Sequence, residues 1–253
     1  MLTGSFTKLN PIFSMMDKSY LATICFGTET STLDPEGVIV DSKPVPSLES
    51  IELALKEHFT GAILQAPPQY SAVHVDGVRA YKLAREGTSV EMQERPVVIH
   101  ATKILDWQPP LLKISVTCSK GTYIRSFARD LGHAVGSCAS LTLLERTSIG
   151  PFLSEEAVDT ENTAALMHMA TQSQQLLLRV PGLANMILGN EAIEGLRHGN
   201  LPRPTSIVHS TAKLGDHYAN LLDIAGNLLA VVALDDNMLP MKVLALPCAE
   251  EAV

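Results

Sequence analysis

Aspartate, histidine, cysteine, arginine and tyrosine are all present in this 253-residue sequence, yet in few of the spacings that announce a reaction. The eight histidines, among them His58, His74, His100 and His133, include no i,i+4 pair of the kind that holds a metal from one helix face. Cys25, Cys118, Cys138 and Cys248 show no Cys-x-x-Cys spacing, so they read as reduced, mostly buried thiols with no metal to bind. The metalloprotease, Walker, dinucleotide and serine-hydrolase signatures are all missing. Periodicity alone stops there, leaving Arg125 and Arg129 one helical turn apart as the only other spacing to note. By residue type alone Tyr20 is a strand-end core aromatic, Arg125 a solvated or salt-bridged helix charge and Leu144 a core residue.

The elements that must position these side chains follow from periodicity. Residues 20–26 are rich in β-branched and aromatic types and end at Gly27, which predicts a strand, with a second short strand at Val38 to Val40. Leu48 to Phe59 carries Ile51, Leu53, Leu55 and Phe59 at helical spacing behind a candidate N-cap, Ser47. The alternation from Tyr70 to Val75, followed by Asp76-Gly77, predicts a strand and tight turn, and Ala80 to Glu86 a short helix closed by Gly87. Two strands follow at Val97 to Leu105 and Leu111 to Cys118. A helix from Thr122 to Val135 then buries Ile124, Phe127, Ala128, Leu131 and Val135 on one face and leaves Arg125 and Arg129 on another. Ala157 to Leu178 reads as helix, Pro181-Gly182 as a boundary, Glu191 to Arg197 as a short helix, and Tyr218 to Ile224 and Leu228 to Leu234 as strands. These divide the chain into residues 1–178 and a small β-rich domain, 179–253.

Composition bounds the class. With 46% hydrophobic and 18% charged residues the chain is globular, since disordered chains lack that apolar content. Its longest apolar runs fall far short of the ~20 residues of a membrane-spanning helix, and no secretory signal opens it, so a cytoplasmic address is expected. The net charge of −8 argues against an unspecialised nucleic-acid binder, but the charge is uneven. Residues 65–129 hold nine basic and five acidic side chains, whereas both flanking stretches are acidic. A focused basic surface on an acidic body suits an enzyme acting on a polyanion, and a mixed solvated surface suits the same numbers.

Three ordered segments resemble one family: residues 17–24 (DKSYLATI), residues 67–72 (PPQYSA) with Gly77, Arg79, Ala80 and Tyr81, and residues 120–126 (KGTYIRS). With Leu144-Glu145-Arg146-Thr147 and Gly150-Pro151-Phe152, and a C-terminal module similar to a PUA-like domain, they resemble the bacterial TruB-type tRNA pseudouridine synthases. The resemblance implies an α+β fold: a mixed, largely antiparallel central sheet with flanking helices, plus the small β-rich domain. It implies a cofactor-free, metal-free isomerisation of a uridine in the T loop of tRNA, by a monomer that flips the base out of its stack. Residue by residue, Tyr20 matches the base-stacking tyrosine, Tyr123 and Arg125 the pair beside the catalytic aspartate, and Leu144 the apolar residue closing the pocket. Lys18, Arg79, Lys120 and Arg129 become expected phosphate contacts.

The same resemblance exposes departures. The family's nucleophilic aspartate sits in a Gly-Thr-Leu-Asp-Pro segment, further upstream of the stacking tyrosine than the residues preceding Tyr20. Gly4 to Leu9 is similar to the family segment that follows that loop. The expectation is therefore a catalytic domain incomplete at its N-terminus, with the nucleophile outside these residues. Thr32-Leu33-Asp34-Pro35 copies the local letters, but its register matches a different family loop, Thr-Asp-Thr-x-Asp-x-x-Gly, which sets Asp34 aside as a substitute nucleophile. His74 stands where lysine is usual and Glu145 where a basic residue is common, and both weaken phosphate contacts. The alternative is a catalytically inactive relative that binds tRNA and assists its folding.

Overall fold

The computed structural model describes residues 2, 4–75, 77–85, 92–171 and 173–246. The sequence readings at Asp76, at Glu86-Gly87 and at Cys248 lie outside the described residues. The chain opens with a 3-10 turn (Gly4–Leu9) and helix α1 (Asn10–Met15), and then divides into two compact units, Met15–Ile149 and Met1–Ser14 with Gly150–Val253.

In the first unit, β1 (Lys18–Phe26) leads through β2 (Thr28–Thr30) and β3 (Ile39–Ser42) to α2 (Leu48–His58) and β4 (Gly61–Gln65). The short pair β5 (His74–Val75) and β6 (Val78–Arg79) precedes α3 (Ala80–Arg85), and β7 (Arg95–Gln108), β8 (Leu111–Cys118), α4 (Ile124–Ala134) and β9 (Ala139–Ile149) complete it. Within this unit the sheet order is β9-β1-β8-β7-β4, every neighbour antiparallel. The period-2 alternation that sends Ala22, Ile24 and Phe26 of β1 and Leu112, Ile114 and Val116 of β8 to one face builds the core. Helix α4 closes it with Ile124, Phe127, Ala128 and Leu131, a stripe at helical spacing. Gly132 lets α4 approach β9 closely, because a Cβ there would lie 2.6 Å from the Ala139 nitrogen.

Two expectations change. The strand expected from Tyr70 to Val75 is confined to His74–Val75, because the carbonyl of Tyr70 and that of Ala66 upstream are taken by side chains of α4 instead of a neighbouring strand. Strands β4 and β9 were not anticipated. Each pairs with a partner far along the chain, and that pairing, invisible in local pattern, holds it extended.

The second unit holds β10 (Phe152–Leu153), a 3-10 turn (Ser154–Glu156), α5 (Thr163–Thr171) and α6 (Ser173–Leu178). The single helix expected over Ala157 to Leu178 begins only at Thr163, where the Asn162 side chain accepts the Ala165 N–H and starts it. Strand β11 (Ala184–Leu188), α7 (Asn190–Arg197), β12 (Ile207–Ser210), β13 (Tyr218–Leu222), β14 (Leu228–Leu234) and β15 (Pro240–Ala245) follow. Their five-stranded sheet runs β12-β11-β13-β14-β15, parallel only between β11 and β13. Met186, Leu188, Leu196, Leu221, Ala230 and Val232 fill a separate core, so the β-rich C-terminal region carries its own apolar interior.

Candidate active site

All the side chains singled out in the sequence belong to the first unit, and Arg125 is the hub of the group. Gly121, at φ +82°, turns the chain after β8, and Thr122 Oγ1 donates to the Ser119 carbonyl, so α4 starts with Arg125 in its first turn. Arg125 Nη1 donates to Asp34 Oδ2 at 2.8 Å and to the Thr32 carbonyl at 3.1 Å, and Nη2 donates to the Tyr70 carbonyl at 2.8 Å. Its Nε has no partner among the described residues, so one donor of the planar fork is free for a further acceptor.

The loop between β2 and β3 brings Asp34 there. Thr30 Oγ1 donates to the Asp34 carbonyl, the buried Leu33 carbonyl accepts the Leu141 N–H of β9, and Asp34 Oδ1 accepts from Thr32 Oγ1 and from the Glu36 N–H. Both carboxylate oxygens of Asp34 are therefore committed. A carboxylate so engaged holds a guanidinium in place. Oδ1 accepts two of these hydrogen bonds and Oδ2 only the one from Arg125, so Oδ2 keeps a lone-pair site.

Tyr20 and Leu144 meet through strand register. In the antiparallel pairing of β1 with β9, Tyr20 stands opposite Arg146 and Ala22 opposite Leu144. Opposed residues share a face, so Tyr20, Leu144 and Arg146 lie side by side on the face that α4 covers. Leu144 is 47% exposed, so the core position that its type alone suggests is not where it sits. Burial pushes the Tyr20 phenol above the ordinary tyrosine range, helped by Cys118, while the charge and hydrogen bond of Arg146 oppose the shift. The hydroxyl is thus neutral at physiological pH.

The cations divide. Lys18 and Lys120 stand close enough, with Arg146, to interact electrostatically, and burial followed by the Arg146 charge lowers the Lys18 pKa. Arg79 is exposed on β6. Arg129 Nε donates to Asp130 at 2.7 Å and its Nη2 to the Ala66 carbonyl at 3.0 Å, so its guanidinium already has protein partners. Tyr123 is the N-cap of α4, its backbone N–H donated to Gln65 Oε1 at 2.8 Å. Three members of this group were not singled out from sequence: Arg146, Gln65, and Asp34 as the partner of Arg125. The first needed the β1–β9 register, and the others needed contacts 58 and 91 residues apart in the chain.

Comparison with known proteins supplies a family. The model of the TruB family pseudouridylate synthases (N terminal domain) matches residues 1–124. The tRNA pseudouridine synthase B of Borreliella burgdorferi is 43% identical over 175 residues, which cover 68% of this chain and 62% of that protein. The protein of the same name from a Caulobacter species is 42% identical over 177 residues, 69% of this chain and 56% of that one. The matched region thus spans less than two thirds of the length of these relatives. Among solved structures, a chain of a Cbf5-Nop10-Gar1 complex superposes with a TM-score of 0.62 at 18% identity, over 96% of this chain and 71% of that chain. A chain of an H/ACA RNP bound to a substrate RNA containing 2'-deoxyuridine gives 0.60 at 16% identity, over 98% of this chain and 71% of that chain. At such identities the likeness concerns the fold, and it agrees with the α+β arrangement of a large antiparallel sheet and a separate β-rich region.

Proposed function

The chain belongs to the TruB family of pseudouridylate synthases, and on that premise we propose that it isomerises a uridine in the T loop of tRNA to pseudouridine, in the cytoplasm and as a monomer. The reaction breaks the N1–C1′ bond of uridine and forms C5–C1′; C5 gives up a proton and N1 gains one, so atoms balance without a redox partner. A base inside a folded RNA is out of reach, so the site must receive it flipped. The face shared by Tyr20 and Leu144 supports that role: an aromatic ring for one side of the uracil and a half-exposed apolar side chain for the other. The neutral Tyr20 hydroxyl suits a relay of the proton leaving C5. Lys18, Arg79 and Lys120 suit the phosphates around the flipped nucleotide, with Arg129 of α4 as a fourth cation.

The observation that carries the reading is Arg125, a guanidinium fixed on three sides with its Nε unspent, on the helix that covers the Tyr20 face. An arginine so held keeps a neighbouring carboxylate ionised and aimed. Asp34, with both oxygens engaged, takes the orienting role, and the nucleophile is a separate aspartate of the family's Gly-Thr-Leu-Asp-Pro loop. The test is a pseudouridine assay on unmodified tRNA, run with the 253-residue chain and with a version extended at its N-terminus by that loop. Activity in the extended form alone supports the assignment. Activity of the 253-residue chain that vanishes with Asp34→Asn would make Asp34 the nucleophile and overturn it. Tight tRNA binding with no isomerisation by either form would leave a binding protein.

A further inference from the structure

Gln65 differs from the other members of the site group in its hydrogen bonding. It ends the edge strand β4, is 2% exposed, and uses one end of its side-chain amide only: Oε1 accepts the Tyr123 N–H at 2.8 Å, while Nε2 has no hydrogen-bond partner among the described residues. The N–H it takes is that of the α4 N-cap, and Tyr123 makes no side-chain cap of its own. In a capping box a glutamate three residues into the helix accepts this same N–H. Here the third helical residue is Ser126, whose Oγ instead donates to the Ala66 carbonyl at 2.8 Å. The cap of α4 therefore comes from another strand. Residues 65–70 form a strap across the first turns of the helix, taking Tyr123 N–H on Gln65, Ser126 Oγ and Arg129 Nη2 on Ala66, and Arg125 Nη2 on Tyr70.

Stability does not explain the choice of glutamine. The net worth of one hydrogen bond is smaller than the penalty for leaving a buried amide N–H₂ unpaired, so Gln65 at best breaks even. What it does secure is the position of the backbone from which Tyr123 and Arg125 project.

We propose that Gln65 is the positioning residue of the candidate site, holding the N-terminus of α4, and with it Tyr123 and Arg125, in register with the Tyr20 face. The proposal rests on the synthase reading for its catalytic readout and on the geometry for its structural one. Two variants separate the ends of the amide. Gln65→Glu keeps an acceptor for Tyr123 N–H but puts a buried carboxyl in place of the unpaired donor; Gln65→Leu discards both ends. Hydrogen exchange at the Tyr123 amide is measured on the 253-residue chain without RNA, and turnover and tRNA Kd on whichever form is active. With Gln65→Leu, Tyr123 exchange rises at least tenfold and turnover falls at least tenfold, while tRNA Kd stays within twofold. In Gln65→Glu the retained acceptor keeps Tyr123 exchange slower than in Gln65→Leu. Unchanged Tyr123 exchange in Gln65→Leu, or faster exchange with unchanged turnover, overturns the proposal. If no form isomerises uridine, the synthase reading fails by itself, and the exchange comparison still decides whether Gln65 positions Tyr123.

Discussion

At the scale of single residues, the site is built from side chains whose surroundings contradict their type. Leu144 is the plainest. A leucine on a sheet strand belongs by type in a core, and this one is 47% exposed beside Tyr20 and Arg146. Truncating it removes little buried area, so Leu144→Ala lowers stability by less than about 1 kcal/mol. The loss should appear in turnover instead, as a fall in kcat several times larger than any change in tRNA Kd. Chemical denaturation beside steady-state assays checks this, and a stability loss of the size seen for a core leucine would return Leu144 to the interior.

Tyr20 makes the second argument at this scale. Its folded pKa is raised, burial first and Cys118 second, with Arg146 opposing. A group whose folded pKa is raised stabilises the fold fully below its unfolded pKa and loses that contribution as pH climbs through the folded value. The window is alkaline, beyond the ordinary tyrosine range, and neutral pH lies outside it. Ultraviolet titration of the phenols should accordingly show a late step that Tyr20→Phe removes, and turnover around neutral pH should be free of any Tyr20 ionisation. A Tyr20→Phe variant whose late step persists would assign the shift to another tyrosine.

At the scale of elements, legibility follows the range of the interactions. Helices α2 and α4 and strands β1, β8, β13 and β14 were readable because the apolar period that makes them is local: Ile51 with Leu55, Phe127 with Leu131, Ala22 with Ile24. Strand β9 was not, since Ala139–Ile149 is extended by β1, more than a hundred residues earlier. The site shows the same division. Tyr20, Tyr123, Arg125 and Leu144 entered as candidates through family resemblance, while Gln65, Arg146 and the bond from Arg125 to Asp34 required the fold. Gly132 tests the element that joins these parts. Alanine there gains about 1 kcal/mol of helix propensity. It also sets a methyl 2.6 Å from the Ala139 nitrogen and 2.8 Å from the Cys138 carbonyl carbon, atoms of backbone that cannot swing aside. Overpacking of this kind costs roughly 1–3 kcal/mol, so the clash wins and α4 tilts off β9. Gly132→Ala should lower Tm by a few degrees and should loosen Arg125 together with it; an unchanged or raised Tm would mean that α4 and β9 have room to part.

At the scale of the whole molecule, a net charge of −8 must be reconciled with the tRNA substrate proposed above. The reconciliation is local. The acidic excess lies in the flanking stretches, while residues 65–129 carry nine basic side chains against five acidic. Within the first unit Lys18 feels the charges of Arg146 and of Lys120, and Arg79 is exposed. Arg129, bound to Asp130 and the Ala66 carbonyl, adds less than a free cation would. Three or so phosphate contacts therefore dominate, and counterion release sets their signature. Each neutralised phosphate contributes about 0.7–0.9 to the slope of log K against log salt, so raising salt from about 50 to about 200 mM should weaken tRNA binding roughly 20-fold or more. Replacing Lys120 by alanine should flatten that slope by close to one contact, and a Lys120→Ala slope equal to that of the unaltered protein would place the RNA on another face. The acidic body has the opposite effect on everything else: it repels nucleic acid that does not reach the basic patch, so unstructured RNA should bind far more weakly than folded tRNA at the same salt. Equal affinity for the two would mean that charge alone, without the Tyr20 pocket, accounts for binding.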